Sequence, residues 1–118
     1  MMTVYTIAFL GGEFLMVFNP KRNGWEMPGG RTEEGESIIE AAEREFAEEA
    51  GYAIDVISTK RIDDCHVCAA YLLGKIGSGE FTAKMFSEVP EDLAFGRSEY
   101  NGVLEWARSA VAAELPFV

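Results

Sequence analysis

A chain of 118 residues with 48% apolar side chains can build one hydrophobic core but not two, so a single domain over residues 1–118 is expected. Its formal net charge of −10 argues against the clustered Lys and Arg that hold nucleic acid, and against an anionic membrane surface. No apolar run nears the ~20 residues needed to cross a bilayer, and the first ten residues lack the positive charge of a signal peptide, so a cytoplasmic protein is expected.

Thr3 to Leu10 is rich in β-branched and aromatic residues and predicts a strand. Gly11-Gly12 predicts a hairpin turn, with Glu13 to Phe18 as the partner strand. A polar loop, Asn19 to Gly24, leads to a short extended piece at Trp25–Met27, kept out of the helical region by Pro28. Gly29-Gly30 then permits tight turning. Ser37 with Glu40 three residues on is a capping box that starts a helix, and Gly51 stops it. Ile54–Lys60, Cys65–Ile76 and Phe81–Phe86 read as strands, and Ser98–Ala113 as a final amphipathic helix. Cys65 and Cys68 bracket His66, the one histidine. That set lacks the four ligands of a structural zinc site, and strand alternation points the two thiols to opposite faces, so both read as packing residues.

The helix after Ser37 carries the chemistry. Glu45, Glu48 and Glu49 are spaced i, i+3 and i+4 and share a face. Advancing about 100° per residue from Glu45, the apolar residues Ile38, Ala42, Phe46, Ile39 and Ala50 fall between about 20° and 140°. Glu48 falls near roughly 300° and Glu49 near roughly 40°, inside the edge of that stripe, whereas Glu40 and Glu43 mark the solvated side. Three carboxylates within one turn repel one another, and a buried unpaired one is costly. A hard divalent cation, Mg²⁺ or Mn²⁺, would satisfy both constraints through oxygen ligands.

Read from Gly30, the stretch contains Gly30, Glu36, Arg44, Glu45, Glu48, Glu49 and Gly51 at the spacing Gly-x5-Glu-x7-Arg-Glu-U-x-Glu-Glu-x-Gly-U, with the bulky Phe46 and Tyr52 at the U positions. This resembles the Nudix box of MutT-like hydrolases. At about 7% per residue type, seven fixed identities would coincide in about one window in 10⁸. The resemblance implies an α/β/α sandwich of α+β class, with a mixed sheet between two main helices. It also implies a site in which Gly29, Glu45, Glu48 and Glu49 bind metal, while Glu36 and Arg44 support the loop. Glu80, between Gly79 and Phe81, is the candidate for a further carboxylate, and the general base stays open among Glu45, Glu48, Glu49 and Glu80.

The implied reaction is hydrolysis of a nucleoside diphosphate linked to a group X. Metal ions would offset the anionic oxygens and improve water as a nucleophile, and a carboxylate would accept its proton. The nearest expectation is a nucleoside triphosphate split to monophosphate and pyrophosphate, with oxidised guanine nucleotides among the candidates and a dinucleotide or nucleotide-sugar as the alternative X. Arg31 is the candidate for a phosphate oxygen, Trp25, Phe86 and Tyr100 for stacking on a base, and Asn101 for its edge. The expected partner is then a small-molecule nucleotide substrate, and the expected protein a monomer or homodimer. Two other classes fit the charge: a nucleotide-sensing module that no longer cleaves, and an acidic domain that docks on a basic partner. The first usually loses a box glutamate, and the second needs no box spacing.

Overall fold

The computed structural model describes residues 1–113. β1 (Thr3–Leu10) and β2 (Glu13–Asn19) form the opening hairpin. Leu10 pairs with Glu13 across the two-glycine turn, where Gly11 takes φ 63°. β3 (Gly24–Glu26) and β4 (Gly29–Arg31) follow, then α1 (Ile38–Ala50), β5 (Tyr52–Ile62), β6 (Cys65–Lys75) and β7 (Thr82–Phe86). A 3₁₀ turn at Arg97–Tyr100 and α2 (Val103–Ala113) complete the described residues.

The seven strands form one mixed sheet in the order β3-β2-β1-β6-β5, with β4 added to β1 and β7 to β2. β1 and β6 run parallel from Thr3–Cys65 to Phe9–Tyr71, and the other pairings are antiparallel. The opposite edge of β1 is divided between two partners. Its Thr3–Tyr5 end pairs with β4 and its Phe9–Leu10 end with β2, which then leaves β1 to pair with β3 and β7. The mixed sheet between two helices is the expected α+β architecture.

Strand alternation feeds a core on each side of the sheet. On one, Ala41, Ala42, Phe46 and Ala50 of α1 pack on Val4, Ala8, Leu15, Val17, Cys68 and Leu72. On the other, Tyr100, Val103, Ala107 and Val111 pack on Ile7, Phe9, Phe14, Met16 and Val67. Phe46 is fully buried, so its replacement by Ala would cost about 3–5 kcal/mol. Cys68 lies in the first core and Cys65 against the second, and both thiols are free, as the strand alternation requires.

Four expectations change. Gly29-Gly30 belongs to a paired strand rather than a free turn, because β1 offers its edge there. β5 starts at Tyr52, directly after the Gly51 cap, and continues to Ile62 as the long partner of β6. The single helix at Ser98–Ala113 is two pieces, since Gly102 takes φ 76° and interrupts it before Val103. On α1, Ile39 is 45% exposed whereas Ala41 is fully buried. Ala41 falls near roughly 320° on the helical wheel, so the buried arc extends across Glu45 as well as Glu49.

Candidate active site

Local signals position α1. The Ser37 hydroxyl accepts from the Glu40 amide at 3.1 Å, and the Glu40 carboxylate accepts from the Ser37 amide at 2.9 Å. At the other end Gly51 adopts φ 78° and its amide donates to the Ala47 carbonyl. Both ends of the helix are thus fixed next to the acidic face.

Arg44 is the hub of that face. Its Nε donates to Glu36 Oε2 at 2.7 Å and its Nη2 to Glu36 Oε1 at 2.9 Å, a two-pronged pair that ties the loop before α1 to the helix. Nη2 also donates to the Arg31 carbonyl at 2.9 Å, joining α1 to β4. These bonds hold the Glu36 carboxyl down at about 2. The remaining prong, Nη1, reaches Glu45 Oε1 at 2.7 Å and Glu48 Oε2 at 3.4 Å.

The three glutamates differ in environment. Glu48 is exposed, while Glu45 and Glu49 are half-buried. Burial is the main cause that raises the Glu45 carboxyl, with Arg44 opposing it. Burial likewise pushes Glu49 up to about 7, opposed by the Gly29 amide, which donates to Glu49 Oε1 at 3.1 Å; the charges of Glu45, Glu26 and Glu80 raise it further. Glu80 is fixed beside the end of α1, its amide bonded to the Glu48 carbonyl at 2.9 Å and that of Phe81 to the Glu49 carbonyl at 3.0 Å. Gly79 makes this approach possible, since a Cβ there would lie 2.3 Å from the Glu49 carbonyl oxygen.

This donor set suits a hard divalent cation: oxygen ligands only, two of them desolvated and repelling one another. Among the described residues, however, no three acidic, His or Cys side chains are grouped closely enough to hold a metal ion as they stand. The reason is visible in the contacts. Arg44 takes up Glu45 and Glu48, and Glu49 turns to the Gly29 amide, so coordination requires these flexible carboxylates to change partners.

Beside the acidic face lies a cavity of about 460 Å³. Gly29 and Gly30 line it, and Gly30 also presses on Glu45, whose carboxylate carbon would be 2.5 Å from an added Cβ. The glycine backbone of β4 is therefore the partition between carboxylates and cleft. Tyr5, Met27, Tyr100 and Val67 give the cleft apolar walls; Arg22, Glu26, Asp63, Asp64 and Glu99 supply its charges.

Glu45, Glu48, Glu49, Glu80, Gly29, Arg31, Glu36 and Arg44 thus lie along α1 and the adjoining β4. Tyr100 lines the cleft, but Trp25 and Asn101 do not. Trp25 is packed edge-on between Phe18 and Phe86, at centroid distances of 5.4 and 4.9 Å, and its amide is bonded to the Asp92 carbonyl. Phe86 is held in the same aromatic stack. Asn101 closes the 3₁₀ turn and faces a separate open groove with Ser87, Arg97 and Arg108. Tyr5, Glu26 and Glu99 are cleft residues that the sequence did not single out. Glu26 had one signal, an acidic residue within an apolar extended segment; Tyr5 and Glu99 had none.

The fold and the acidic helix define the class of protein. The NUDIX domain family model matches residues 2–106, so the chain belongs to the Nudix family, which includes nucleotide pyrophosphatases and generally uses divalent metal ions. It is 29% identical over 83 residues to the uncharacterized Nudix hydrolase YvcI of Bacillus subtilis, covering 65% of this chain and 52% of that protein. It is 38% identical over 55 residues to the 8-oxo-dGDP phosphatase NUDT18 of Mus musculus, covering 44% of this chain and 17% of that one. The chain therefore spans about half or less of the length of these curated relatives. Among solved structures, a Bacillus subtilis pyrophosphohydrolase superposes with a TM-score of 0.65 at 26% identity, over 95% of this chain and 81% of that one. No helix among the described residues is long and apolar enough to cross a membrane.

Proposed function

We propose that this chain is a metal-dependent pyrophosphohydrolase that splits a nucleoside triphosphate and water into a nucleoside monophosphate and pyrophosphate. The observation that carries the reading is the abutment of the Glu45, Glu48 and Glu49 face on the glycine strand β4, whose other side lines a cleft large enough for a nucleoside. Glu45, Glu48, Glu49 and the backbone of Gly29 would hold Mg²⁺ or Mn²⁺. The cation would supply positive charge to the phosphate oxygens and make water a better nucleophile. A carboxylate of the group Glu45, Glu48, Glu49 and Glu80 takes the proton of the attacking water as its oxygen bonds to phosphorus and the P–O bond to pyrophosphate breaks. Arg31 is exposed next to Gly30 and makes no ion pair among the described residues, which leaves its guanidinium for a phosphate oxygen. Arg44 and Glu36 position the acidic face without touching substrate. The name of the mouse relative supports a phosphorylated nucleotide substrate, that of the bacterial structure a pyrophosphate bond, and the small size of the cleft supports one nucleoside.

The test is product analysis on a panel of nucleoside triphosphates, dinucleotides and nucleotide-sugars with Mg²⁺ or Mn²⁺. Monophosphate and pyrophosphate in equal amounts are expected from triphosphates. Binding without release of either product would make the chain a sensor, and release of phosphate from the terminal position would place the attack elsewhere.

A further inference from the structure

The last turn of α1 concentrates negative charge. A helix leaves its final carbonyls without partners of its own, and the macrodipole makes that end partly negative. Glu48 and Glu49 add carboxylates of the same sign. The segment Ile76–Phe81, between β6 and β7, meets this end with backbone amides. Those of Ile76 and Gly77 donate to the Gly51 carbonyl at 2.8 and 3.2 Å, that of Glu80 to the Glu48 carbonyl at 2.9 Å, and that of Phe81 to the Glu49 carbonyl at 3.0 Å. One short segment is thus strapped across the turn that presents the acidic face.

Glycines on both sides make the fit. A Cβ at Gly79 would stand 2.6 Å from the Ala50 carbonyl carbon and press on the Glu49 carbonyl oxygen, and one at Gly51 would stand 2.8 Å from the Gly79 nitrogen. These are backbone atoms far inside ordinary contact, so a side chain at residue 79 would lift the strap from the helix. Gly77 is the opposite case, since a Cβ there meets nothing within 4 Å. Neither Gly77 nor Gly79 takes a positive φ. Gly79 is therefore needed for close approach alone, and its neighbour Glu80 is the residue whose place depends on it. Glu80 is exposed and makes no ion pair among the described residues, yet its charge is felt at Glu49.

We infer that Gly79 is a positioning residue: it lets Ile76–Phe81 dock on α1 and so holds Glu80 where its carboxylate strengthens the grip of Glu45, Glu48 and Glu49 on a divalent cation. Docking of the strap and binding of the ion then favour each other. The inference rests on the proposed hydrolytic site for where the ion lies, and its test needs no turnover. Mn²⁺ dissociation constants would be measured by calorimetry for the wild type, Gly79→Ala, Glu80→Gln, the double variant and Gly77→Ala. Gly79→Ala and Glu80→Gln should each weaken Mn²⁺ about tenfold, the lower end of what loss of a supporting group costs a metal site. The double variant should also lose about tenfold, because both changes remove the same carboxylate, whereas independent effects would multiply to about a hundredfold. Gly77→Ala makes the same change in chain entropy without the clash and should stay within about twofold of the wild type. Coupling is reciprocal, so saturating Mn²⁺ should slow hydrogen exchange in the wild-type peptide spanning Glu80 and Phe81 by about tenfold, read by mass spectrometry. That measurement decides the matter even if Gly79→Ala fails to fold. Multiplied losses in the double variant, unchanged affinity in Glu80→Gln, equal losses in Gly77→Ala and Gly79→Ala, exchange indifferent to Mn²⁺, or no Mn²⁺ binding by the wild type at millimolar concentration would each overturn the inference. The expected metal behaviour with no nucleotide cleaved would leave the strap standing and remove the hydrolytic reading; cleavage with multiplied losses would do the reverse.

Discussion

Gly30→Ala should separate the proposed catalysis from folding in this chain. An alanine Cβ at residue 30 would sit 2.5 Å from Glu45 Cδ and 2.6 and 2.7 Å from its two oxygens. Unbonded carbons rest at about 3.5–4.0 Å, so the carboxylate must retreat by about 1 Å. It can do so, because the obstructing atoms end a flexible side chain and Gly30 is not in the left-handed region. The retreat strains or breaks the 2.7 Å contact between Glu45 and Arg44, a charge-assisted bond worth about 1.5–3 kcal/mol at most in such a setting. The fold should survive with a Tm lower by less than about 15 °C. Activity should fall far more, by about 10²-fold in kcat/KM, since a misplacement of about 1 Å at a reacting centre costs that much. Gly29→Ala is the contrast: its Cβ would lie 2.3 Å from the Val4 carbonyl oxygen and 2.7 Å from Tyr5 Cα, backbone atoms of β1 that cannot move aside. That variant should lose its cooperative melt. Steady-state hydrolysis and thermal denaturation of both proteins decide the matter. Full activity in a folded Gly30→Ala would refute the placement of Glu45 in the reaction, and a normal melt for Gly29→Ala would refute the steric reasoning.

Glu48→Gln and Glu49→Gln should each reduce turnover by at least about 10²-fold with circular dichroism unchanged. Glu43→Gln, on the exposed side of α1, should leave the rate as it is; near-normal rates in both site variants would remove the metal assignment. Burial raises Glu49 from 4.5 to about 7, so the folded state holds its proton longer than the unfolded chain does. Metal-free stability should then fall as pH rises from about 4.5 to about 7 and level off above, and the Tm gain from Mg²⁺ should grow over the same window. That gain should shrink in Glu48→Gln and persist in Glu43→Gln; equal gains in scanning calorimetry would place the ion elsewhere. Gly102→Ala should cost about 1–2 kcal/mol in urea denaturation, because residue 102 takes φ 76°, and an unchanged midpoint would mean the break before α2 is not held by this residue.

Much of the site could be read from the sequence because its signals are local. The capping box at Ser37 and Glu40, the left-handed Gly51 and the i, i+3, i+4 spacing of Glu45, Glu48 and Glu49 each depend on a few neighbouring residues, and the structure shows the caps and the shared face where they were expected. The mixed sheet between two helices was implied by the resemblance that this same short stretch carries. The phase of α1 against the sheet was not legible there. A helical wheel states which residues share a face and set Glu49 at the edge of the apolar one, but packing on β1 and β4 decides how far the burial extends; it exposed Ile39, buried Ala41, and brought Glu45 into the covered arc beside Glu49. Nor could the cleft be read, since Tyr5, Glu26 and Glu99 lie far apart in the chain and meet only because β1 divides its edge between β4 and β2 while Gly102 breaks the last helix. Trp25, a base-stacking candidate by residue type, is instead held by Phe18 and Phe86. Local hydrogen bonding fixed the acidic helix within one stretch of sequence; the cavity beside it is a product of long-range strand pairing, which no short window contains.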